Sequence, residues 1–245
     1  MSQPAEVAAT QIVQLSHYIG GERVAGKSGR FGDIYNPSLG IKSSEAPLAS
    51  KSEVEAAIAV AEAAFPAWAA TSVLQRSRVM ARYVQLLYKH QHELATLVGQ
   101  EHGKVIEDAM GSVLRGIEVA EFACGAPHAQ KGEFSDNVAR GIDIYSMRKP
   151  LGVVAGITPF NFPAMIPLWM AAMAIITGNT VVLKPSEKDP SCPLRLAELF
   201  VEAGGPPGVF NVVIGDKEAV DTLLNDERIK AVSFVGSTPI AQYVY

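Results

Sequence analysis

From Leu151 onward, the chain alternates short apolar runs with segments of helical periodicity. The apolar runs lie at about 152–157, 180–184, 209–213 and 231–235, and the helical segments lie at about 163–177, 191–203, 216–224 and from 238 onward. Short apolar runs bounded by turn residues are typical of fully buried strands. Because strands and helices alternate, the pattern predicts an α/β fold, with a parallel sheet covered by helices on both faces.

The chain before Leu151 carries a different pattern, in which short strands precede longer helices. Strands are predicted at Tyr18–Val24 and Phe31–Asn36, around a glycine-rich turn. Residues 1–15 show no strong pattern, and we expect a flexible arm there. Residues 133–150 are polar, alternating and poor in helix formers, which predicts an extended hairpin that leaves the main body.

Helices are predicted from their caps and from apolar spacing. One begins at Ser52, where Ser52 and Glu55 match a capping box, and two more cover about 75–101 and 104–123. Later in the chain, the predicted caps and first-turn prolines are Ser191 with Pro193, and Ser237 or Thr238 with Pro239.

Composition excludes several classes of protein. The chain is 48% hydrophobic and 19% charged, as globular domains are, and its net charge of −4 offers no basic surface for nucleic acid. Its two cysteines, Cys124 and Cys192, have no metal-binding spacing, which favours a reducing compartment and no metal site. The N-terminus lacks a signal-peptide pattern, and the longest apolar stretch, Phe162–Ile176, is short and contains two prolines. We therefore expect a cytoplasmic protein without membrane contact.

One phosphate-binding motif is a false match. Residues 21–28, GERVAGKS, satisfy the P-loop pattern. That motif works only when a helix follows the loop and directs its N-terminus at the phosphates. Gly29, Gly32, Asn36 and Pro37 follow here, so a turn between strands is the better interpretation.

Polar side chains follow the first two predicted strands of the second half. Asn161 lies in the loop TPFNFP after the first strand, and Lys184 and Glu187 end the second, in VVLKPSE. The carboxyl ends of parallel strands meet at one edge of a sheet, where nucleotides bind. These residues therefore predict a nucleotide-type crevice at that edge. The alternatives are a solvated strand end for Lys184 and Glu187, and a buried turn cap for Asn161.

At these motifs the sequence resembles the aldehyde dehydrogenase superfamily, and the resemblance runs from about His17 to the last residue. Within it, the similarity is greatest to the CoA-acylating methylmalonate-semialdehyde dehydrogenases. The segments that carry it are RGIEVAEFACGAP at 115–127, MRKPLG at 147–152, GITPFNFP at 156–163 and VSFVGSTPIAQYVY at 232–245. The resemblance implies a Rossmann-type NAD-binding domain, formed by 16–132 and 151–245, and a hairpin at 133–150 that contacts a neighbouring subunit of a dimer or tetramer.

The resemblance also implies cofactor contacts. Lys184 and Glu187 are expected at the adenosine ribose, where a carboxylate favours NAD over NADP and Lys188 partly offsets that preference. Thr158 and Phe160 are expected at the nicotinamide half. Ser237, in the Gly-Ser-Thr turn, is expected near the pyrophosphate, whereas physical reasoning alone favours a simple N-cap.

Three further residues concern the chemistry. Asn161 is expected to donate to a developing oxyanion, as the family's Asn does. Arg115 is expected to bind the substrate carboxylate, with an ion pair to Glu118 as the alternative. Cys192 lies near a predicted helix start, where the pKa of a thiol falls, but its context matches a surface helix start of the family.

The implied reaction is NAD-dependent oxidation of methylmalonate or malonate semialdehyde to propionyl-CoA or acetyl-CoA, with loss of CO2, in valine, pyrimidine or inositol breakdown. The coenzymes are NAD and coenzyme A, and the enzyme is expected to be a homo-oligomer. Because the family is roughly twice as long, the chain looks truncated, with the nucleophilic cysteine and the catalytic domain beyond Tyr245 and the chain inactive alone. A non-CoA aldehyde dehydrogenase and a non-catalytic nucleotide-binding fragment remain alternatives.

Overall fold

The computed structural model describes residues 12–245. Its strands are β1 Val13–Gln14, β2 His17–Ile19, β3 Glu22–Val24, β4 Phe31–Asn36, β5 Ile41–Pro47, β6 Phe134–Ala139, β7 Ile142–Tyr145, β8 Val153–Ile157, β9 Thr180–Lys184, β10 Phe210–Val212 and β11 Ile229–Phe234. Its helices are α1 Lys51–Ala70, α2 Val73–Lys89, α3 Gln91–His102, α4 Ile106–Ala123, α5 Ala126–Ala129, α6 Met165–Ile176, α7 Ser191–Glu202, α8 Lys217–Asn225 and α9 Thr238–Val244.

A six-stranded sheet forms the centre of the fold, in the order β11-β8-β9-β10-β2-β3. The four strands from β11 to β10 are parallel, and β2 and β3 extend the sheet in the antiparallel sense. A smaller sheet, in the order β1-β5-β4, lies outside it. The predicted α/β fold with a parallel sheet is therefore confirmed.

Both faces of the sheet are covered, because successive side chains of a buried strand point to opposite sides. On β8, Val153, Ala155 and Ile157 pack in one core cluster with apolar residues of α1 and α8. Val154 belongs to the other cluster, to which α2, α3, α4, α6 and α7 contribute. Helices on both faces were expected from the strand–helix alternation, and this is confirmed.

In the early part of the chain, two predicted elements are each divided into two in the structure. The single strand expected at Tyr18–Val24 is a hairpin, β2–β3, because Gly20 and Gly21 have φ of 65° and 87° and reverse the chain. The helix expected over 75–101 ends and restarts at His90. Its apolar spacing continues across the break because Leu87 and Leu94 are buried in the same core.

The helices predicted from Ser52 and Ser191 begin within one residue of those positions, but both predicted capping residues are wrong. Helix α1 is capped by Ser50, and the Glu53 carboxylate accepts from the Ser50 N–H at 2.9 Å and the Lys27 N–H at 2.7 Å. Ser52 with Glu55 has the same spacing as Ser50 with Glu53, so spacing alone cannot distinguish the two pairs. Only the Glu53 carboxylate also accepts from the Lys27 N–H, and this contact favours the Ser50 cap. Ser191 is the first residue of α7 and does not cap it.

The expected hairpin at 133–150 is present, whereas part of the expected arm at 1–15 forms a strand. Residues 1–11 of the expected arm lie outside the described residues, while Val13 and Gln14, which the arm was expected to include, pair with β5. Strands β6 and β7 form the expected antiparallel hairpin, and all their residues are exposed.

The segment after Lys27-Ser28 is strand β4, so no helix follows the false P-loop motif.

In the described part of the chain, no single helix is long and apolar enough to cross a membrane, although the bent pair α1–α2 meets that test by length and composition. The apolar helix α6 has only 12 residues and most of them are buried.

Arg76 is a charged side chain whose partners are neutral. It is 6% exposed, and its guanidinium donates to the carbonyl oxygens of Ile176 at 2.8 Å and Thr71, and to the Gln130 amide oxygen at 3.2 Å. These carbonyls end α6 and α1, so one side chain satisfies acceptors of two helix termini. Burial lowers the pKa of Arg76 below its ordinary value.

We expect Arg76→Met to lower the free energy of unfolding by on the order of 3 kcal/mol, because it leaves buried carbonyls at two helix ends without donors. Arg78→Met is the matched control, since Arg78 lies on the same helix and is exposed. Urea unfolding of both variants measures the difference. Equal small effects would show that Arg76 contributes no more than a surface arginine.

Candidate functional site

A cleft of about 750 Å³ lies at the carboxyl ends of β8, β9 and β11, beside α8 and α9. Six of the residues predicted to bind a cofactor line it together: Thr158, Phe160, Lys184, Glu187, Lys188 and Ser237. This is the sheet edge at which nucleotides bind in open α/β folds. The other residues named from the sequence, Asn161 and Arg115, are not among those that line it.

Lys184 ends β9 with its ammonium group inside the protein. It is 6% exposed, and its Nζ donates to the Gly215 carbonyl at 3.1 Å and lies 3.7 Å from a Glu187 carboxylate oxygen. Burial lowers its pKa, and the charges of Glu187 and Asp216 partly offset that change. An ammonium has three donors, so donors remain after the bond to Gly215. The alternative of a solvated strand end is wrong for Lys184.

Thr158 carries a hydroxyl that has no protein partner. The residue is 4% exposed, its N–H donates to the Lys184 carbonyl at 3.2 Å, and its Oγ1 is one of the buried polar atoms without a hydrogen bond within residues 12–245. Buried hydroxyls are nearly always paired. Thr158 lines the cleft, and its buried hydroxyl has a hydrogen-bonding capacity that no residue of the described range uses.

The aromatic and apolar part of the cleft contains residues that the sequence reasoning missed. Phe160 is 52% exposed, with the Lys188 Nζ 5.3 Å from its ring centroid. Helices α8 and α9 contribute Val220, Pro239, Ile240 and Tyr243. Pro239, Ile240 and Tyr243 belong to a segment that carries the family resemblance, but the sequence did not indicate that they line the cleft, because they meet Val220 only when the two helices pack at the sheet edge.

Ser237 occupies the N-cap position of α9, as predicted, and Pro239 lies in the first turn. Its side chain makes no capping hydrogen bond to the helix backbone. The hydroxyl at the cleft is therefore not committed to the capping interaction that physical reasoning alone favoured.

Asn161 is exposed and lies in the loop between β8 and α6. Its backbone carbonyl accepts from the Lys104 Nζ at 3.1 Å, whereas its side-chain amide makes no hydrogen bond to any residue of the described range. The alternative of a buried turn cap is therefore wrong. A free amide at this position can donate to a bound molecule.

Arg115 lies on α4, exposed, at the crossing of α4 with α6. The helices approach closely at Gly116, where an added Cβ would lie 2.7 Å from a Leu168 methyl carbon, and Trp169 Nε1 donates to the Arg115 carbonyl at 3.4 Å. Within residues 12–245, no ion pair joins Arg115 to Glu118 or another acid, so that alternative is wrong. At Gly111, on the same helix, nothing lies within 4 Å of an added Cβ.

Neither cysteine is placed as a nucleophile. Cys192 is 1% exposed in α7, and burial raises its pKa well above the ordinary value, with Glu101 and Asp189 adding to the rise. The sequence suggested a helix start that lowers the thiol pKa, or a helix start at the surface. Both suggestions are wrong, because the thiol is buried and its pKa is raised. Cys124 is the half-buried C-cap residue that follows α4, and burial raises its pKa as well.

Comparison with known proteins shows to which family this chain is similar. The sequence profile of the aldehyde dehydrogenase family matches residues 24–245. The malonate-semialdehyde dehydrogenase of Pseudomonas aeruginosa is 55% identical over 231 residues, which are 94% of this chain and 46% of that protein. The mitochondrial acylating methylmalonate-semialdehyde dehydrogenase of Arabidopsis thaliana is 47% identical over 95% of this chain and 38% of its own length.

A solved structure from Sinorhizobium meliloti, assigned as a methylmalonate-semialdehyde dehydrogenase and complexed with NAD, superposes with a TM-score of 0.94. It is 56% identical and covers 96% of this chain and 48% of its own. The chain thus spans 46%, 38% and 48% of the lengths of these three proteins.

Behind the cleft lie two carboxyl groups that the sequence reasoning did not single out. Glu101, at the end of α3, accepts from the Ser191 N–H at 3.0 Å and hydroxyl at 2.5 Å. Asp189 is 3% exposed and one of its oxygens has no partner in the described structure. Burial raises the pKa of Glu101 to about 7 and that of Asp189 to about 8, where the charge of Glu101 adds to the rise.

These shifts predict that stability falls as pH rises. Both folded-state pKa values lie above the ordinary values of 4.5 and 3.8, so the folded protein keeps protons that the unfolded chain releases. The free energy of unfolding therefore declines through about pH 7 for Glu101, by up to ~1.4 kcal/mol per pH unit for each such group. Glu101→Gln should flatten this decline, while exposed Glu107→Gln should not. Urea unfolding from about pH 5 to pH 8 tests this, and parallel curves for the two variants would refute it.

Proposed function

This chain belongs to the aldehyde dehydrogenase family, and we propose that it is the NAD-binding part of a CoA-acylating semialdehyde dehydrogenase. The proposed reaction oxidises methylmalonate or malonate semialdehyde with NAD, releases CO2 and transfers the acyl product to coenzyme A. The observation that carries the proposal is the cleft in which Lys184, Glu187 and the unpaired Thr158 hydroxyl meet. The Pseudomonas aeruginosa and Arabidopsis thaliana relatives are dehydrogenases of malonate semialdehyde and methylmalonate semialdehyde, which supports the substrate class.

The residues of the cleft fit a dinucleotide. Lys184 and Glu187 offer a cation and a carboxylate to the hydroxyls of a ribose, and the carboxylate disfavours a 2′-phosphate. Thr158 and Phe160 are assigned to the nicotinamide half, and Ser237 to the pyrophosphate. The apolar residues of α8 and α9 offer a surface for a planar base. NAD, when bound, supplies the hydride acceptor.

Asn161 is proposed to stabilise the oxyanion that forms when a thiolate attacks the aldehyde. An amide N–H can donate without a proton transfer, and one such donor is worth ~3 kcal/mol in the transition state. Its side chain is exposed and has no competing partner in the described chain, which supports this role. The buried Cys192 and the half-buried Cys124 do not fit the nucleophile. The proposal therefore requires a thiol from residues that this chain does not include, and we expect the chain alone to turn over no substrate.

Arg115 is proposed to bind the substrate carboxylate. Malonate and methylmalonate semialdehydes carry this charge close to the reacting carbon, and a guanidinium can bind it bidentately at any physiological pH. The exposure of Arg115 and its lack of an acidic partner in residues 12–245 support the assignment.

Assembly through the β6–β7 hairpin belongs to the same proposal. The hairpin exposes Phe134, Val138, Ile142, Ile144 and Tyr145, an apolar set that favours burial against another subunit. Hydrolysis of the acyl enzyme by water, in place of transfer to coenzyme A, is the competing outcome for the second half of the reaction.

The roles of Asn161 and Glu187 are separable in an active protein that contains this chain. Asn161→Ala should lower kcat by about a hundredfold, because it removes an oxyanion donor, with little change in the Kd for NAD. Glu187→Gln should instead weaken NAD binding and narrow the difference between NAD and NADP. NADH formation and fluorescence titration measure the two effects. Equal losses of NAD affinity in both variants would refute this division.

Substrate recognition by Arg115 is tested with two aldehydes. Arg115→Leu should raise KM for malonate semialdehyde by about a hundredfold, the loss expected for a charge-assisted bidentate pair, and should spare propanal, which has no carboxylate. Arg115→Lys keeps the charge without the planar fork, so an intermediate KM is expected. An equal loss for both aldehydes in Arg115→Leu would assign Arg115 a structural role.

A further inference from the structure

The end of helix α3 contacts the loop that carries Asn161. His102 is the last residue of α3, Gly103 follows with φ of 84°, and Lys104 comes next. The left-handed conformation favours glycine, and an added Cβ would also lie 3.0 Å from Pro37 Cγ. The sharp turn at Gly103 allows His102 and Lys104 to contact the same loop. We call residues 102–104 the α3 clamp.

Lys104 makes two contacts on one side of Asn161. Its Nζ donates to the Asn161 carbonyl at 3.1 Å and lies 3.9 Å from the centroid of the Phe162 ring. A charged donor to a carbonyl and a cation over an aromatic face both restrict where the loop can lie. The bond is to the backbone of Asn161, so the side-chain amide remains free.

His102 contacts the other aromatic neighbour of Asn161. Its ring stacks on Phe160 with centroids 6.5 Å apart and an interplanar angle of 29°. Burial and the nearby Lys104 charge lower the pKa of His102, which favours a neutral ring in this stack. Lys188 approaches the same Phe160 ring at 5.3 Å. Each aromatic residue beside Asn161 is therefore in contact with a member of the α3 clamp.

We propose that Lys104 is a positioning residue that fixes the Asn161 loop so that the side-chain amide is preorganised for the oxyanion, with His102 in a supporting role. The inference rests on the proposed function of Asn161 and adds the residue through which that function depends on α3. Lys104 acts through the Asn161 backbone and the Phe162 ring, and it touches no reacting atom. Misplacement of a catalytic group by about 1 Å lowers rates by up to about a hundredfold, so this loop needs such a contact.

The first experiment measures amide hydrogen exchange in the Asn161 loop of this chain, without any substrate. Hydrogen exchange, followed by mass spectrometry, is compared for peptides that cover residues 158–163 in the unsubstituted chain, Lys104→Met and Lys104→Arg. Lys104→Met should exchange faster in this segment, and Lys104→Arg should restore most of the protection because it keeps the charge and the donor. Exposed Lys89→Met is the matched control. If hydrogen exchange in Lys104→Met is unchanged, Lys104 does not hold the Asn161 loop, whatever the activity of the protein.

The second experiment is a double-mutant cycle in an active protein that contains this chain. Lys104→Met should lower kcat about tenfold or more, with little change in the Kd for NAD, and Lys104→Arg should recover most of the loss. In the Asn161→Ala background, Lys104→Met should have almost no further effect, because its partner is already absent. The same loss in both backgrounds, or a fall in Tm that accounts for the loss of activity, would overturn the positioning role.

The two experiments separate the two claims. If an unsubstituted longer protein that contains this chain and a nucleophilic thiol oxidises no semialdehyde with NAD, the proposed function fails, and hydrogen exchange alone then decides whether the α3 clamp holds the loop.

Discussion

The proposed cofactor cleft depends on the register of three parallel strands. Ile157 of β8 pairs with Lys184 of β9 on one side and with Phe234 of β11 on the other, so three loops leave the sheet at the same level. A shift by one residue would turn Lys184 to the other face of the sheet. The side chain of Asn179 helps to set the register at the amino ends, since its Oδ1 accepts from the Leu151 and Gly152 N–H groups at 2.7 and 3.2 Å.

Three charged or titratable side chains, the buried Lys184 and Arg76 and the partly buried Glu101, make hydrogen bonds to neutral groups, and Lys184 also lies 3.7 Å from the Glu187 carboxylate. Lys184 donates to a backbone carbonyl, Arg76 donates to carbonyls at two helix ends, and Glu101 accepts from the first residue of α7. A buried charge is costly unless hydrogen bonds replace its water. In all three positions the partners are groups at strand or helix ends, which secondary structure leaves without partners. The charged side chains therefore supply hydrogen bonds at both ends of the sheet, with Lys184 at the carboxyl end of β9 and Arg76 beside Gly178, just before β9 begins.

The sequence predicted the second half of the fold well because buried parallel strands are continuous apolar runs. The predicted runs at 152–157 and 180–184 match β8 and β9 to within one residue. The break at His90 and the capping pair of α1 were not predictable, since Leu94 and Lys27 contribute through contacts that a local pattern does not contain. For the site, strand-end polarity and the family resemblance identified six residues that line one cleft, although their roles stay predictions. Lys104 gave no signal, because its significance arises from contact with a loop 57 positions away.

The loop after β8 joins the two parts of the proposed site. Its first residues, Thr158 and Phe160, line the cofactor cleft, and the next, Asn161, is held through its carbonyl by Lys104 outside that cleft. Phe160 is shared, with Lys188 near its ring and His102 stacked on it. Any displacement of Phe160 by a ligand therefore acts on the backbone that carries Asn161. Since three consecutive residues span both contacts, the loop has little freedom to move one part without the other, and the proposed oxyanion donor and the wall of the proposed cofactor cleft are positioned together.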